Sequence, residues 1–115
     1  MTDAAARLTY CFDVDGTLCT NTYGEYEKAE PLAEMISQIN ALRAHGHRII
    51  LFTARGTTTG INWRQTTERQ LEVWGVSYDE LLFGKPQADI YIDDRGMSLA
   101  EWEDKRPVVT RAPKR

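Results

Sequence analysis

The run Leu8-Thr9-Tyr10-Cys11-Phe12-Asp13-Val14-Asp15-Gly16-Thr17 decides the fold. Its first eight residues are β-favouring and apolar on both faces, and Gly16-Thr17 supplies a turn, so the run reads as a buried strand with an abrupt C-terminal stop. Beyond it, residues 19–30 contain Asn21, Gly24 and two tyrosines with no helical period, which predicts a loop or small hairpin over the strand end. Pro31 then opens a helix: Leu32, Met35, Ile36, Ile39 and Leu42 recur at helical spacing, and Gly46 stops it. A second strand follows over residues 48–53. Asn62 with Gln65 has the form of a capping box for a second helix, with Trp63, Leu71 and Trp74 on one stripe and Gly75 at the end. Leu81-Leu82-Phe83 and Ala88-Asp89-Ile90-Tyr91-Ile92 predict two more strands, the latter running into Asp93-Asp94. Ser98 and Glu101 would cap a weak third helix, and Val108-Val109 would form a last edge strand. Strands alternating with helices imply parallel pairing with right-handed crossovers. The expected architecture is a three-layer, Rossmann-like α/β sheet of about five strands, with helices on both faces.

Composition agrees with one domain over 1–115, its core about 7–104: the 115 residues are 42% apolar and 27% charged. The formal net charge of −3 is unevenly placed, because residues 1–104 hold nine basic against seventeen acidic side chains and 105–115 hold five basic and none acidic. An acidic globule repels nucleic-acid phosphates, and the basic tail, with two prolines and no interleaved aromatics, reads as solvated rather than as a binding element. No apolar run approaches the ~18 residues of a membrane helix. Cys11 and Cys19 lack CxxC spacing and no run of signal-peptide length precedes Cys11, so a cytoplasmic location with reduced thiols is expected.

Two of the expected strands end in paired acids, Asp13 with Asp15 and Asp93 with Asp94, and in a parallel sheet those ends lie on the ligand-binding edge. Two ionised carboxylates ~5 Å apart repel by about 3 kcal/mol at an effective dielectric of ~20, so four converging acids call for a cation. An all-oxygen acidic site suits Mg²⁺, which keeps several waters and leaves room for a substrate phosphate. Thr53 ends a third apolar run and Lys85 lies in the loop Gly84-Lys85-Pro86. A hydroxyl can donate to a phosphoryl oxygen, and an ammonium neutralises charge that builds during transfer.

Four stretches, Phe12-Asp13-Val14-Asp15-Gly16-Thr17, Leu51-Phe52-Thr53-Ala54-Arg55, Phe83-Gly84-Lys85-Pro86 and Tyr91-Ile92-Asp93-Asp94, occur in an order that resembles the haloacid dehalogenase superfamily of aspartate-nucleophile phosphotransferases. The resemblance covers Leu8 to about Trp102. It implies that Asp13 attacks phosphorus and becomes an aspartyl phosphate, while Asp15 serves as acid and then base. It implies that Thr53 and Lys85 hold the phosphoryl oxygens, with backbone amides near Val14, Asp15 and Ala54. Mg²⁺ would be held by Asp13, Asp15 through its carbonyl, Asp93 and Asp94. About thirty residues separate Asp15 from strand two, and about thirty separate Thr53 from Lys85, so the chain looks like a member without a cap domain. Water exclusion would then fall to the 19–30 flap, a bulky substrate or a homo-oligomer partner. Within the superfamily the chain resembles very small phosphatases of capsular or cell-surface polysaccharide biosynthesis, on Asp13 to Cys19, Gly46-His47, Thr53-Ala54-Arg55-Gly56 and Tyr78-Asp79-Glu80.

The expected function is Mg²⁺-dependent hydrolysis of a small phosphorylated metabolite, a sugar phosphate or sugar-linked intermediate. Substrate contacts are expected from Gly16, Thr17, Ala54 and Arg55, from Tyr23 and Tyr26 of the flap, and from Arg95, which could fork onto a second anion. His45 and His47 are expected to face solvent or cap a helix, and Cys19 has no histidine partner for a thiol mechanism. A receiver-like phosphoacceptor is the competing reading, together with transfer to an acceptor other than water. In a receiver, however, the acidic pair would come first and a lone Asp later, whereas here DxD comes first and the adjacent pair last.

Overall fold

The computed structural model describes residues 6–109. Its sheet has three parallel strands in the order β1 (Thr9–Asp13), β2 (Arg48–Thr53), β3 (Glu80–Phe83). Helix α1 (Ala33–Ala44) connects the first pair and α2 (Arg64–Trp74) the second, and α3 (Leu99–Val109) closes the described chain. Strands laid down in sequence order with right-handed crossovers put both connecting helices on the same side of the sheet.

Burial follows from that. In β2 the residues alternate strictly, with Ile49, Leu51 and Thr53 buried and Arg48, Ile50 and Phe52 only half-buried. The register sets Tyr10 beside Ile49, Phe12 and Leu81 beside Leu51, and Phe83 beside Thr53, so one face carries the core. Met35, Ile36, Ile39 and Leu42 of α1 are buried, as their spacing predicts, along with Leu71 of α2. Trp102 of α3 meets Tyr10 and Phe12 edge-on and donates its indole N–H to Gln38 of α1. The opposite face is thinly covered: Cys11 is exposed and Leu82 is 41% exposed. Two equally covered faces are therefore not what the described residues form, and β1, an edge strand, is not buried on both sides.

Turn chemistry matches the sequence signals at Gly75 and at Ser98 with Glu101, but not at Asn62 with Gln65, because α2 is capped at Trp63 with no side-chain cap bond. Helix α2 stops at Gly75, left-handed at φ 73°. Asn62 accepts the N–H of Arg64, and Ser98 and Glu101 cap α3 reciprocally, each side chain accepting the other's backbone N–H. Helix α1 begins two residues after Pro31, which instead bridges to Cys19.

Two expected strands are absent. Residues 88–92 have no regular structure and lie exposed, Ile90 at 74% and Ile92 at 92%. Tyr91 explains the compact loop there: its hydroxyl donates to the Pro86 carbonyl and accepts from Ala88 N–H, and its ring lies 4.5 Å from the Lys85 ammonium. Those local bonds replace a ladder. Val108-Val109 is the last turn of α3, so the first part of the basic tail is helical, and residues 110–115 lie outside the described residues. Among the described residues no helix is long and apolar enough to cross a membrane.

Candidate active site

Asp13 ends β1, Thr53 ends β2, and Lys85 follows β3 by two residues, so three adjacent parallel strands deliver their chemistry to one sheet edge. The Lys85 backbone N–H donates to the Thr53 carbonyl at 3.1 Å, extending the ladder past β3. This pins the lysine's stem and turns its ammonium across β2, to 3.4 Å from Asp13 Oδ2. The other Asp13 oxygen accepts the Val14 N–H at 2.9 Å. The Val14 amide, expected to face a phosphoryl group, therefore bonds to Asp13. Burial raises the Asp13 pKa above the usual carboxylate range, opposed by Lys85 and the Val14 N–H. With 39% of the side chain exposed, the carboxylate remains reachable from solvent. Thr53 is fully buried and its Oγ1 accepts the Arg55 N–H at 3.1 Å, which leaves its hydroxyl proton to donate.

The turn after β1 is built as its sequence predicts. Gly16 takes φ 82°, its N–H donates to the Cys19 carbonyl, and the N–H groups of Thr17 and Leu18 converge on the Val14 carbonyl. Asp15 is thereby aimed inward, towards Arg55.

Arg55 departs most from expectation. Its side chain is wholly buried rather than turned to a substrate, and all five guanidinium donors are engaged. Nε and Nη2 fork onto the two Asp15 oxygens at 2.9 Å each, Nη1 donates to Thr67 at 2.9 Å and Gln70 at 2.7 Å, and Nη2 also meets the Cys19 thiol at 3.9 Å. The ring of Tyr26 lies 4.7 Å from the guanidinium carbon, and Gln70 donates onward to the Tyr26 carbonyl. The flap, β1's turn and α2 are therefore tied through one cation. Tyr26 packs edge-on against Trp63 and belongs to this tie, whereas Tyr23, at φ 54°, is 89% exposed. The Cys19 thiol lies in the same pocket of charge, and burial beside Asp15 pushes its pKa up to about 12.

The second acidic pair is not gathered in. Asp93 accepts the N–H groups of Arg95 and Gly96, which lower its pKa, and Asp94 lies 3.8 Å from the exposed Arg95 guanidinium. Among the described residues no group of three His, Cys, Asp or Glu side chains could hold a metal. The reason is the missing fourth strand, which was to carry Asp93 to the sheet edge. Arg95, 90% exposed in its side chain, is likewise bonded only within its own loop among the contacts described.

A cleft of about 220 Å³ opens between residues 55–64 and the end of β3, walled by Ile61, Trp63, Arg64 and Phe83 and reaching Gly84, the residue before Lys85. Neither Trp63 nor Phe83 stood out in the sequence as more than core. His47 is also misread by its neighbours in sequence: it is 3% exposed, and its Nδ1 accepts the Leu8 N–H at the start of β1.

No protein-family model and no curated protein matches the chain. Among solved structures, a crystal structure of a target protein from Vibrio cholerae is similar at a TM-score of 0.75 and 27% identity, covering 88% of this chain and 95% of that one. A chain of a Pnkp1/Rnl/Hen1 complex is similar at a TM-score of 0.56 and 23% identity, over 80% of this chain but 32% of that one, a likeness of fold alone. The protein is a small α/β domain with a parallel sheet.

Proposed function

We propose that the protein is a phosphate monoester hydrolase in which Asp13 is the nucleophile, a small cap-less enzyme resembling the haloacid dehalogenase superfamily. One observation carries this reading: a reachable Asp13 carboxylate 3.4 Å from the Lys85 ammonium, beside the strand-end Thr53, on the edge of a parallel sheet. The half-desolvated Asp13 oxygen attacks phosphorus in line, forming an acyl–phosphate bond as the alkoxide leaves. Lys85 neutralises charge on the phosphoryl oxygens, and Thr53, fully buried, must be uncovered before it donates its hydroxyl proton to one of them. Asp15 passes a proton to the leaving oxygen and takes one from the attacking water, and Gly16 and Thr17 form the turn that carries it.

A divalent cation belongs to this reading. Mg²⁺ is typically held by one or two carboxylates, several waters and the substrate phosphate, so the open Asp13 carboxylate fits it without a three-acid cage. Asp13 and the Asp15 carbonyl are the proposed holders; Asp93 and Asp94, expected to join them, are bonded within their own exposed loop and are not among them. Bound there, Mg²⁺ would screen negative charge between Asp13 and the incoming phosphate. The proposed substrate is a small phosphorylated metabolite, a sugar phosphate being the class the resemblance suggests. A cytoplasmic setting and a homo-oligomer that shields the open edge complete the proposal.

The competing phosphoacceptor reading is favoured by one observation: both Asp15 oxygens are occupied by Arg55, and the Asp15 side chain is only 17% exposed. An acid/base must give up one of those bonds to work. The test is phosphate release from sugar phosphates, nucleotides and an aryl phosphate, with and without Mg²⁺, comparing the protein with Asp13→Asn. Release that needs both Asp13 and the metal supports the hydrolase, and stable labelling of Asp13 without release supports the acceptor.

A further inference from the structure

The cleft that reaches Gly84 has an electrostatic character of its own. Residues 1–104 carry nearly two acids for every base, yet no acidic residue lines this cleft among the described residues. Arg55 and Arg64 both line it, and Arg64 is the one whose side chain is exposed. The guanidinium carbon lies 4.7 Å from the Phe83 ring centre, a shelf that orients the fork, and Nη2 reaches the Leu81 carbonyl at 3.4 Å. Its ion pair with Glu68, at 3.2 Å, joins two side chains each about half-exposed on the surface of α2. Such pairs are weak and readily exchanged for a better-placed oxyanion. The buried Arg55 cannot play this part, because its donors are all engaged.

The walls are rigid enough to select. Thr57 donates to the Lys85 carbonyl at 2.9 Å and Thr58 to Gln87 at 2.8 Å, so the 55–64 loop is fastened to the loop that carries Lys85. Gly56, at φ 79°, lets the loop double back: a β-carbon there would stand 2.1 Å from the Ile61 carbonyl oxygen. The cleft's lining includes Gly84, the residue before Lys85, and its volume of about 220 Å³ is below that of drug-sized pockets, a fit for one compact ring. Ile61, Trp63 and Phe83 offer that ring apolar surface.

The geometry points to this cleft as the seat of the leaving group and to Arg64 as the residue that selects leaving groups bearing a second oxyanion, a carboxylate or a phosphate-like group, on a compact ring. This rests on the phosphoryl-transfer reading. The role expected of the exposed Arg95 passes to Arg64.

The experiment compares kcat/KM for phenyl phosphate, 4-carboxyphenyl phosphate and 4-phosphonophenyl phosphate, in the wild type and in Arg64→Gln. Dividing one protein's ratio by the other's cancels the intrinsic reactivities of the esters. Loss of a charge-assisted bond in Arg64→Gln is expected to lower the anionic esters about tenfold relative to phenyl phosphate. The carboxylate and phosphonate arms show which oxyanion the fork prefers. Glu68→Gln, which removes the competing carboxylate, is expected to shift the preference the other way by about twofold. A double ratio of unity in both arms overturns the proposal. If neither protein hydrolyses any ester, the hydrolase reading fails, and the cleft is judged on binding alone. Benzoate or phenylphosphonate should then shift the Trp63 indole N–H resonance in the wild type and not in Arg64→Gln, and no shift in either protein overturns it.

Discussion

Replacing Arg55 with alanine removes a cation that holds three parts of the chain together. The guanidinium is inaccessible and forks onto Asp15, while Thr67 and Gln70 take its remaining reach. Truncating one member of a buried ion pair typically costs 3–5 kcal/mol, because the partner's charge stays behind without compensation. Asp15 retains 17% exposure, so water relieves part of that penalty and the lower end, about 3 kcal/mol, is the expected loss. Against a total of roughly 6–17 kcal/mol for a chain of this length, such a loss is large. With a urea m-value of about 2 kcal/mol/M, the unfolding midpoint should fall by roughly 1.5 M. Urea is the denaturant of choice because guanidinium could occupy the vacated site. Arg55→Lys keeps the charge without the fork and should fall between the two. In a double-mutant cycle, Asp15→Asn combined with Arg55→Ala should cost clearly less than the sum of the single changes. A loss below about 1 kcal/mol, or strict additivity, would mean that the pair behaves as a surface ion pair and that the tie between flap and α2 is not structural.

Four further outcomes follow from the same geometry. Lys85→Met should lower phosphate release by roughly 10²–10³, the scale for removing one preorganised charge-stabilising donor, with little change in the urea midpoint. Gly56→Ala should destabilise by about 1–3 kcal/mol in the same assay, since φ 79° and a 2.1 Å approach to the Ile61 carbonyl oxygen exclude a β-carbon. Burial lowers the His47 pKa below its usual 6.5, so the folded protein keeps the ring neutral where the unfolded chain would protonate it. The stability this contributes is complete above about pH 6.5 and lost as the pH falls towards the folded-state value; urea midpoints should drop between pH 7.5 and 5.5, and this drop should shrink in His47→Gln. Cys19, whose thiol pKa stands at about 12, should resist alkylation at pH 8 in the native protein while the exposed Cys11 is modified, as peptide mass mapping would show.

How far the sequence revealed the structure depended on the range of the forces involved. Strand β2 was legible over its whole length because residues 48–53 are an unbroken β-favouring run between a glycine turn and a loop. The stripe of α1 and the cap of α3 were legible for the same reason, since both are settled within one or two turns. Residues 88–92 carry a strand's composition, but a bond from Tyr91 to the Pro86 carbonyl, five residues back, outweighs it locally. Asp13, Thr53 and Lys85 could be expected to meet because parallel topology places strand ends together. The burial of Arg55 could not be, because its acceptors are supplied by residues 12, 15 and 40 positions away. An arginine next to the Thr53 strand end looked like a substrate contact for want of that information.

In the proposed reaction Asp13 is the group that takes the phosphoryl. The most direct measurement is rapid acid quench of the protein with an aryl phosphate and Mg²⁺, followed by peptide mass spectrometry across residues 8–28. One phosphoryl group is expected on Asp13, appearing and decaying within a turnover and absent from Asp13→Asn. Phosphate release at the full rate with no phosphoryl group on Asp13 at any quench time would contradict it.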